Sequence, residues 1–140
     1  MRIIDLFSGV GGLTFGFYYR KYKDHFVRNR KNQFVFANEY NPLAAKAYSE
    51  NYPDIPMKNC DIKSLKESDI RKWIGSEPVD LIIGGPPCQS FSTVGQRNYD
   101  EKAQLYTEYL RVLKIARPKM FLFENVRGIL SMREIFYKRD

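Results

Sequence analysis

The sequence has few side chains that bind metals or form crosslinks, with two cysteines and one histidine in 140 residues. Cys60, Cys88 and His25 do not make a credible zinc ligand set, and two thiols in a reducing compartment do not favour a disulfide. No apolar run approaches the length that spans a bilayer, and Met1-Arg2 leads directly into a predicted strand. We therefore expect a cytoplasmic protein without a metal, a disulfide or a membrane segment.

The sequence also lacks internal repeats, low-complexity tracts and linkers, and its length suits one domain. Basic residues are in excess: 23 Lys and Arg stand against 16 Asp and Glu, which gives a net charge of +7. Such an excess favours a polyanionic partner. Much of it lies between Arg20 and Lys31, where a helix end and an exposed loop are predicted. A solvated basic insertion is the favoured interpretation of this segment, and a nucleic-acid contact is the alternative.

Hydrophobic periodicity divides the chain into alternating strands and helices. Strands are predicted at Arg2–Phe7, Gln33–Asn38, Met57–Ile62, Val79–Ile83 and Met120–Phe123. Helices are predicted from the glycine turn to about Tyr22, from Pro42 to Tyr52, from Ser64 or Ser68 to Gly75, and from about Lys102 to Ala116. This alternation predicts an α/β fold with a mainly parallel sheet, and such folds bind ligands at the carboxyl edge of the sheet.

The fourth predicted strand leads into the string GGPPCQSFS at residues 84–92. Pro86 and Pro87 fix φ and remove two backbone donors, so Cys88 cannot continue a ladder or a helix and leaves the sheet at its carboxyl edge. A cysteine presented in this way is a candidate nucleophile. The ordinary interpretation of a lone cysteine, a small buried hydrophobic residue, is the alternative.

The string DLFSGVGGL at residues 5–13 is a strand followed by a glycine turn. Its G-x-G-G spacing, without a P-loop lysine, gives little support for pyrophosphate binding. Glu39 ends the second strand, where nucleotide-binding α/β folds place the acceptor for the ribose hydroxyls. Asp61 ends the third strand, and the residue type alone favours a helix or turn cap there.

Together with Glu124-Asn125-Val126, these strings resemble the cytosine-C5 DNA methyltransferase family. The resemblance implies a Rossmann-like, S-adenosylmethionine-dependent methyltransferase fold, incomplete here, with about five mainly parallel strands and flanking helices. It further implies that residues 1–140 are the N-terminal portion of the catalytic domain. The family's target-recognition domain and C-terminal motifs are absent, so the fifth strand is expected to be an unprotected edge beside uncovered apolar surface.

The resemblance also implies roles for individual residues. Cys88 and Glu124 are the expected catalytic pair. The expected contacts of S-adenosylmethionine are Asp5, Phe7, Ser8, Gly9, Gly11, Gly12, Leu13, Glu39, Tyr40, Asp61, Ile62, Pro86 and Leu105. The expected DNA contacts are Gln89, Ser90, Ser92, Gln96, Arg97 and Asn125, although a solvated polar loop explains several of these equally well.

Carbon 5 of cytosine is a poor nucleophile, so methylation there needs a covalent detour. A thiolate that adds to carbon 6 turns the ring into an enamine whose carbon 5 can attack a methyl group. Cys88 would supply the thiolate, and Glu124 would hold ring nitrogen 3 as an acid kept protonated by burial. A base inside a duplex must first be flipped out.

These expectations point to methylation of cytosine in double-stranded DNA, in a prokaryotic, nucleoid-associated restriction-modification system. The chain is expected to be a fragment or one subunit of a split enzyme, with a second chain as the other partner. One alternative is methylation of cytosine in RNA by the same chemistry. Another is a non-catalytic fragment that binds only cofactor or a partner chain.

Overall fold

The structure is a computed structural model that describes residues 1–87 and 105–125. Seven strands are present in this part of the chain: β1 Arg2–Leu6, β2 Tyr19–Tyr22, β3 His25–Arg28, β4 Gln33–Glu39, β5 Met57–Asn59, β6 Leu81–Gly84 and β7 Met120–Phe123. The helices are α1 Gly12–Tyr18, α2 Pro42–Asn51, α3 Glu67–Ile74 and α4 Leu105–Ala116, with a single 3₁₀ turn at Ile62–Ser64. None of these helices is long and apolar enough to cross a membrane.

Five strands form one parallel sheet in the order β5-β4-β1-β6-β7. β1 lies in the centre, and its residues Ile3 to Leu6 are fully buried because helices cover both faces of the sheet. Between each of these strands and the next one along the chain lies a helical segment, because parallel strands need a crossover connection. The predicted α/β fold with five mainly parallel strands is confirmed.

The core has two layers, one on each face of the sheet. Ile4 and Leu6 pack with residues of α3 and α4, such as Ile70 and Val112. Ile3, the neighbour that points to the opposite face, belongs to a second cluster rich in tyrosine, which α1 and α2 supply. Side chains alternate along β1, so α3 and α4 pack on one face of the sheet and α1 and α2 pack on the other.

The sequence prediction was wrong after α1, where the helix ends at Tyr18 instead of continuing to Tyr22. The next residues form an antiparallel hairpin, β2–β3, in place of the predicted helix end and loop. Lys23 adopts a φ of 54°, which two-residue hairpin turns require at their first central residue. Aromatic residues in both strands favour this extended structure over helix.

Other boundaries also differ from the prediction, among them those of β5 and α3. The third strand of the parallel sheet, β5, ends at Asn59, and the chain then enters the 3₁₀ turn for which Asp61 is the N-cap. Helix α3 begins at Glu67 after Lys66, whose side chain makes no capping hydrogen bond, so neither predicted serine cap is used. Glu67 and Asp69 in its first turn stabilise the start of the helix instead, because their negative charges lie at the positive end of the helix dipole.

Strand β7 has the predicted bounds and lies at the end of the described sheet. Met120, Phe121 and Leu122 are 55%, 61% and 38% exposed. The described residues therefore leave an apolar strand edge open, as the sequence predicted.

Candidate functional site

The candidate site is a cleft of about 740 Å³ at the carboxyl edge of the parallel sheet. Segments that follow β1, β4, β5 and β6 form its walls, together with the start of α4. Its lining residues are Phe7, Asn38, Glu39, Tyr40, Asn41, Asp61, Ile62, Lys63, Gly85, Pro87 and Leu105. Six of the predicted cofactor residues are among them: Phe7, Glu39, Tyr40, Asp61, Ile62 and Leu105. The cleft lies where ligands bind in open α/β sheets.

The turn between β1 and α1 has an unusual backbone. Phe7, Gly9 and Gly11 have φ values of 56°, 54° and 95°, in the left-handed region that costs a residue with a Cβ about 1–3 kcal/mol. A Cβ at Gly11 would lie 2.1 Å from the Tyr52 ring, and the Tyr52 hydroxyl donates to the Gly11 carbonyl at 2.8 Å. Tyr52, at the end of α2, therefore holds the turn in a shape that only glycine at position 11 permits.

Glu39 connects this turn to the start of α2. Its Oε2 accepts a hydrogen bond from the Gly9 amide at 2.8 Å, and its Oε1 accepts one from the Asn41 amide at 2.7 Å. Each carboxylate oxygen has a second lone pair, so the side chain can still accept hydrogen bonds from a ligand. The two amides fix the carboxylate at the cleft wall.

Two asparagines that the sequence analysis missed, Asn38 of β4 and Asn59 of β5, join these two strands at the wall. Asn59 Nδ2 donates to the carbonyls of Glu39 and Tyr40, at 2.8 and 3.1 Å. Asn38 Nδ2 donates to the carbonyls of Lys58 and Cys60, at 2.8 and 3.0 Å. Asparagine at the ends of two strands was a visible signal, because its amide can satisfy carbonyls where a ladder stops.

Asp5 is not among the residues that line the cleft, and its assignment as a cofactor contact stays a prediction. Its side chain is fully buried and accepts a hydrogen bond from the Thr14 hydroxyl, which itself lies 2.8 Å from the Tyr48 hydroxyl. Burial raises the pKa of Asp5 to about 7; the Thr14 hydrogen bond opposes this shift, and the negative charge of Glu39 adds to it. Asp5 therefore supports α1 and α2 from beneath the glycine turn.

The remaining predicted residues of the turn differ in environment. Ser8 is buried, and its Oγ has no hydrogen-bond partner among the described residues. A Cβ at Gly9 or Gly12 would meet nothing within 4 Å, so space remains open beside both. Leu13 packs against the tyrosine-rich cluster and does not line the cleft. Ser8 therefore has an unused polar atom at the turn, as does the buried Asp5 Oδ1 beneath it.

Asp61 is the cap that its residue type favoured, and its role as a cofactor contact stays a prediction. Its Oδ1 accepts from the Lys63 amide at 2.9 Å and so caps the 3₁₀ turn. The residue is also exposed and lines the cleft. The cap fixes the carboxylate in the wall opposite the glycine turn.

The ends of β6 and β7 bring the proline turn and the Glu124-Asn125 segment together. A Cβ at Gly85 would lie 2.8 Å from Glu124 Oε2, so the glycine leaves room for this carboxylate. Asn125 Nδ2 donates to the Pro86 carbonyl at 3.2 Å, two residues before Cys88. Pro86 is buried and does not line the cleft, and Asn125 contacts the backbone of its own chain. Glu124 is exposed, so the burial expected for it is not found.

Cys88 lies outside the described residues, as do the expected DNA contacts Gln89, Ser90, Ser92, Gln96 and Arg97. Their roles remain predictions. The structure does describe the other cysteine: Cys60 is half-buried, and its Sγ lies 3.8 Å from Asn38 Nδ2. Cys60 thus belongs to the β4–β5 wall of the cleft, away from the proline turn.

Comparisons with known proteins agree on one family. A profile of the C-5 cytosine-specific DNA methylase family matches residues 1–138. The chain is 42% identical to the Type II methyltransferase M.AgeI of Thalassovita gelatinovora, over 94% of this chain and 29% of that protein. It is 40% identical to the Type II methyltransferase M.NgoPII of Neisseria gonorrhoeae, over 95% of this chain and 35% of that protein.

Solved structures give the same result. A prophage-encoded E. coli protein described as a DNA modification methyltransferase superposes with a TM-score of 0.74 at 33% identity, covering 98% of this chain and 34% of that one. The Dnmt2 methyltransferase of S. pombe superposes at 0.63 with 26% identity, covering 92% of this chain and 35% of that one. The chain thus spans about a third of the length of these relatives. From the motifs, the fold and these similarities, the chain belongs to the C-5 cytosine-specific DNA methylase family.

Proposed function

We propose that this chain carries the cofactor cleft and the catalytic residues of a cytosine-C5 DNA methyltransferase of a restriction-modification system. One observation carries the proposal: the Glu124-Asn125 segment is fastened to the proline turn that precedes Cys88, next to the cleft that Glu39 and Asp61 line. The names of its relatives as Type II methyltransferases support the restriction-modification context.

The described cleft fits S-adenosylmethionine, which supplies an electrophilic methyl group when bound. Glu39 would accept from the ribose hydroxyls and Asp61 from an adenine amino group. Hydrogen bonds from the Gly9 and Lys63 amides hold the two carboxylates. Phe7, Ile62 and Leu105 offer apolar surface for a flat base. The unpartnered Ser8 Oγ is a further polar atom beside the glycine turn. Tyr40, which is 74% exposed, is available to cover the ligand.

The catalytic residues act on the target base. We propose that the Cys88 thiolate adds to carbon 6 of a flipped cytosine while Glu124 gives a proton to ring nitrogen 3. Carbon 5 can then take the methyl group that bound S-adenosylmethionine would supply. When the proton at carbon 5 leaves to solvent, the Cys88 thiolate is expelled, Glu124 takes back the proton from ring nitrogen 3, and the ring regains its aromatic bonding. Asn125 is a positioning residue in this scheme, because its hydrogen bond to Pro86 sets where the proline turn ends. Gln89, Ser90, Ser92, Gln96 and Arg97 are the proposed DNA contacts.

The relatives are about three times the length of this chain. We therefore propose that sequence recognition in DNA depends on protein outside these 140 residues, supplied either in the same polypeptide or by a second chain. Base contacts read a sequence, and the described residues offer mainly phosphate-binding charge.

Trapping on DNA that contains 5-fluorocytosine tests the catalytic assignment, in the complete enzyme to which this chain contributes. Fluorine cannot leave carbon 5 as a proton does, so the covalent adduct persists. We expect Cys88→Ser to abolish trapping, because a hydroxyl is a far weaker nucleophile than a thiolate at neutral pH. The matched change Cys60→Ser should leave trapping intact. Loss of trapping in the Cys60 variant alone would refute the assignment, and trapping of RNA in place of DNA would change the substrate class.

A further inference from the structure

A second cleft, of about 840 Å³, lies on the β2–β3 hairpin. Its lining residues are Arg20, Tyr22, Val27, Arg28, Asn29, Arg30 and Lys31. Four of these seven side chains are basic and none is acidic. The sequence analysis favoured a solvated insertion for this segment, but a concave surface with charge of one sign has the form of a binding site for an anion.

The pairing of the two strands decides which residues face this cleft. Tyr19 and Phe26 lie on the inner face, where their rings contact Phe15 of α1 at centroid distances of 5.1 and 5.2 Å. Arg20 and Tyr22 alternate with the inner residues and therefore point outward. The aromatic contacts with α1 thus lie on one side of the hairpin, and Arg20 and Tyr22 lie on the other.

The net charge of the chain is concentrated in this segment. Residues 19–31 contain six basic residues and one acidic residue, so they contribute +5 of the total of +7. Arg28 is used structurally: it pairs with Asp54 at 3.1 Å and lies 3.8 Å above the Tyr18 ring. Arg20, Arg30 and Lys31 have no ion pair within residues 1–87 and 105–125. Three uncompensated cations therefore surround one cleft.

The hairpin lies at the amino edge of the parallel sheet, whereas the candidate active site lies at the carboxyl edge. Helix α1 starts at the carboxyl edge and returns to the amino edge, where the Asn29 amide donates to the Tyr18 carbonyl at 2.7 Å. The Met1 amino group donates to the Lys31 carbonyl at 2.7 Å, which places the base of the hairpin beside the start of β1. Five residues of β1 span about 17 Å. A ligand on the hairpin therefore does not occupy the candidate site.

We propose that the cleft on the β2–β3 hairpin binds the phosphodiester backbone of DNA at a second place, apart from the segment that enters the active site. The identity of the polyanion rests on the proposed function, because a DNA methyltransferase meets this polymer. The chemistry agrees: Arg20 and Arg30 provide guanidinium forks that match phosphate oxygens, and Lys31 adds a third positive charge. This second contact would hold DNA that flanks the target.

The salt dependence of DNA binding tests the proposal. The triple variant Arg20→Gln/Arg30→Gln/Lys31→Gln removes the three cations and keeps Arg28, which the fold uses. A matched control, Lys66→Gln/Lys72→Gln/Lys114→Gln, removes three exposed cations near the opposite face of the sheet. Binding of a fluorescein-labelled duplex is measured by anisotropy across a salt series, without cofactor, and circular dichroism checks that both variants fold.

Each lost phosphate contact should lower the slope of log K against log salt by about 0.9, so the hairpin variant should lose roughly 2.7. The control should keep the slope of the unmodified chain. Equal loss in both variants would show a general charge effect and overturn the proposal. Unchanged DNA binding in the hairpin variant, with lost binding to phosphatidylserine vesicles, would also overturn it in favour of a membrane surface. The assay needs no methyl transfer. If the slope changes as expected but the complete enzyme does not methylate DNA, only the proposed function is refuted.

Discussion

Replacing Asp5 by asparagine tests the buried network beneath the glycine turn. The ordinary pKa of 3.8 applies to the unfolded chain, whereas burial raises the pKa of Asp5 to about 7 in the folded protein. Between these values the folded state binds the proton and the unfolded state does not. The stabilisation from Asp5 is therefore complete below pH 3.8 and is lost as the pH rises to about 7. Asparagine has the same shape and no such titration.

The magnitude follows from the two pKa values. Their separation corresponds to roughly 4 kcal/mol in total, of which roughly 3 kcal/mol is lost between pH 5.0 and pH 8.5. The unmodified chain should lose this amount of unfolding free energy relative to Asp5→Asn over that interval. Comparing the change across pH, and not the stability at one pH, cancels the contributions of all other titrating groups that the two proteins share.

Urea unfolding at the two pH values provides the assay. Trp73 is the single tryptophan and packs on Phe36 in the core, with ring centroids 5.1 Å apart, so its fluorescence reports unfolding. Asp24→Asn, on the exposed hairpin turn, is the control and should follow the unmodified chain. The same pH dependence in Asp5→Asn and the unmodified chain would refute the account of a buried carboxyl that takes up a proton on folding.

Three other changes test separate parts of the structure. Glu39→Ala should weaken binding of S-adenosylmethionine by about 1–3 kcal/mol in calorimetry on the complete enzyme, because it removes a fixed polar partner. Gly85→Ala should slow adduct formation with 5-fluorocytosine DNA, because its methyl group displaces the Glu124 carboxylate. Asp54→Asn should lower the unfolding free energy near neutral pH by about 0.2–1 kcal/mol, the range for an exposed pair. Burial raises the pKa of Asp54, but hydrogen bonds from Tyr18 and Arg28 outweigh burial and lower the pKa overall. The difference in unfolding free energy should therefore vanish as the pH falls through that lowered pKa.

Matched controls separate these effects from general damage. Glu50→Ala, on the exposed side of α2, should leave cofactor affinity unchanged. Gly84→Ala contrasts with the change at Gly85, because its Cβ would lie 2.5 Å from the Leu6 carbonyl oxygen. It should destabilise the fold by about 1–3 kcal/mol, the usual cost of overpacking. Equal stability of the two alanine variants would contradict the different surroundings of these glycines.

The sequence predicted the parallel sheet well because its strands are short apolar runs bounded by glycine or proline. The bounds of β7 and the start of α2 at Pro42 agree with the structure. The β2–β3 hairpin was not predicted, since its turn at Lys23 lacks the usual glycine and its strands carry many charges. These features resemble a loop when only composition is considered.

The candidate site was likewise predicted only in part from the sequence. Glu39 and Asp61 could be placed from their positions at strand ends, because parallel strands bring their carboxyl ends to one edge. The orientation of Asp5 could not be predicted from the motif, because strand register decides to which face of the sheet a side chain in β1 points. The contact between Asn125 and Pro86 joins residues 39 positions apart and appears only in three dimensions.

The hydrogen bonds from the Gly9 and Asn41 amides to Glu39 also affect the thermodynamics of ligand binding. They join the turn between β1 and α1 to the start of α2 in the free protein. The conformational entropy of this turn is therefore lost on folding and not on ligand binding. A ligand that enters this cleft meets a carboxylate already in place, and more of its interaction energy remains as affinity. Preorganisation of the cleft wall is therefore a property of the free protein.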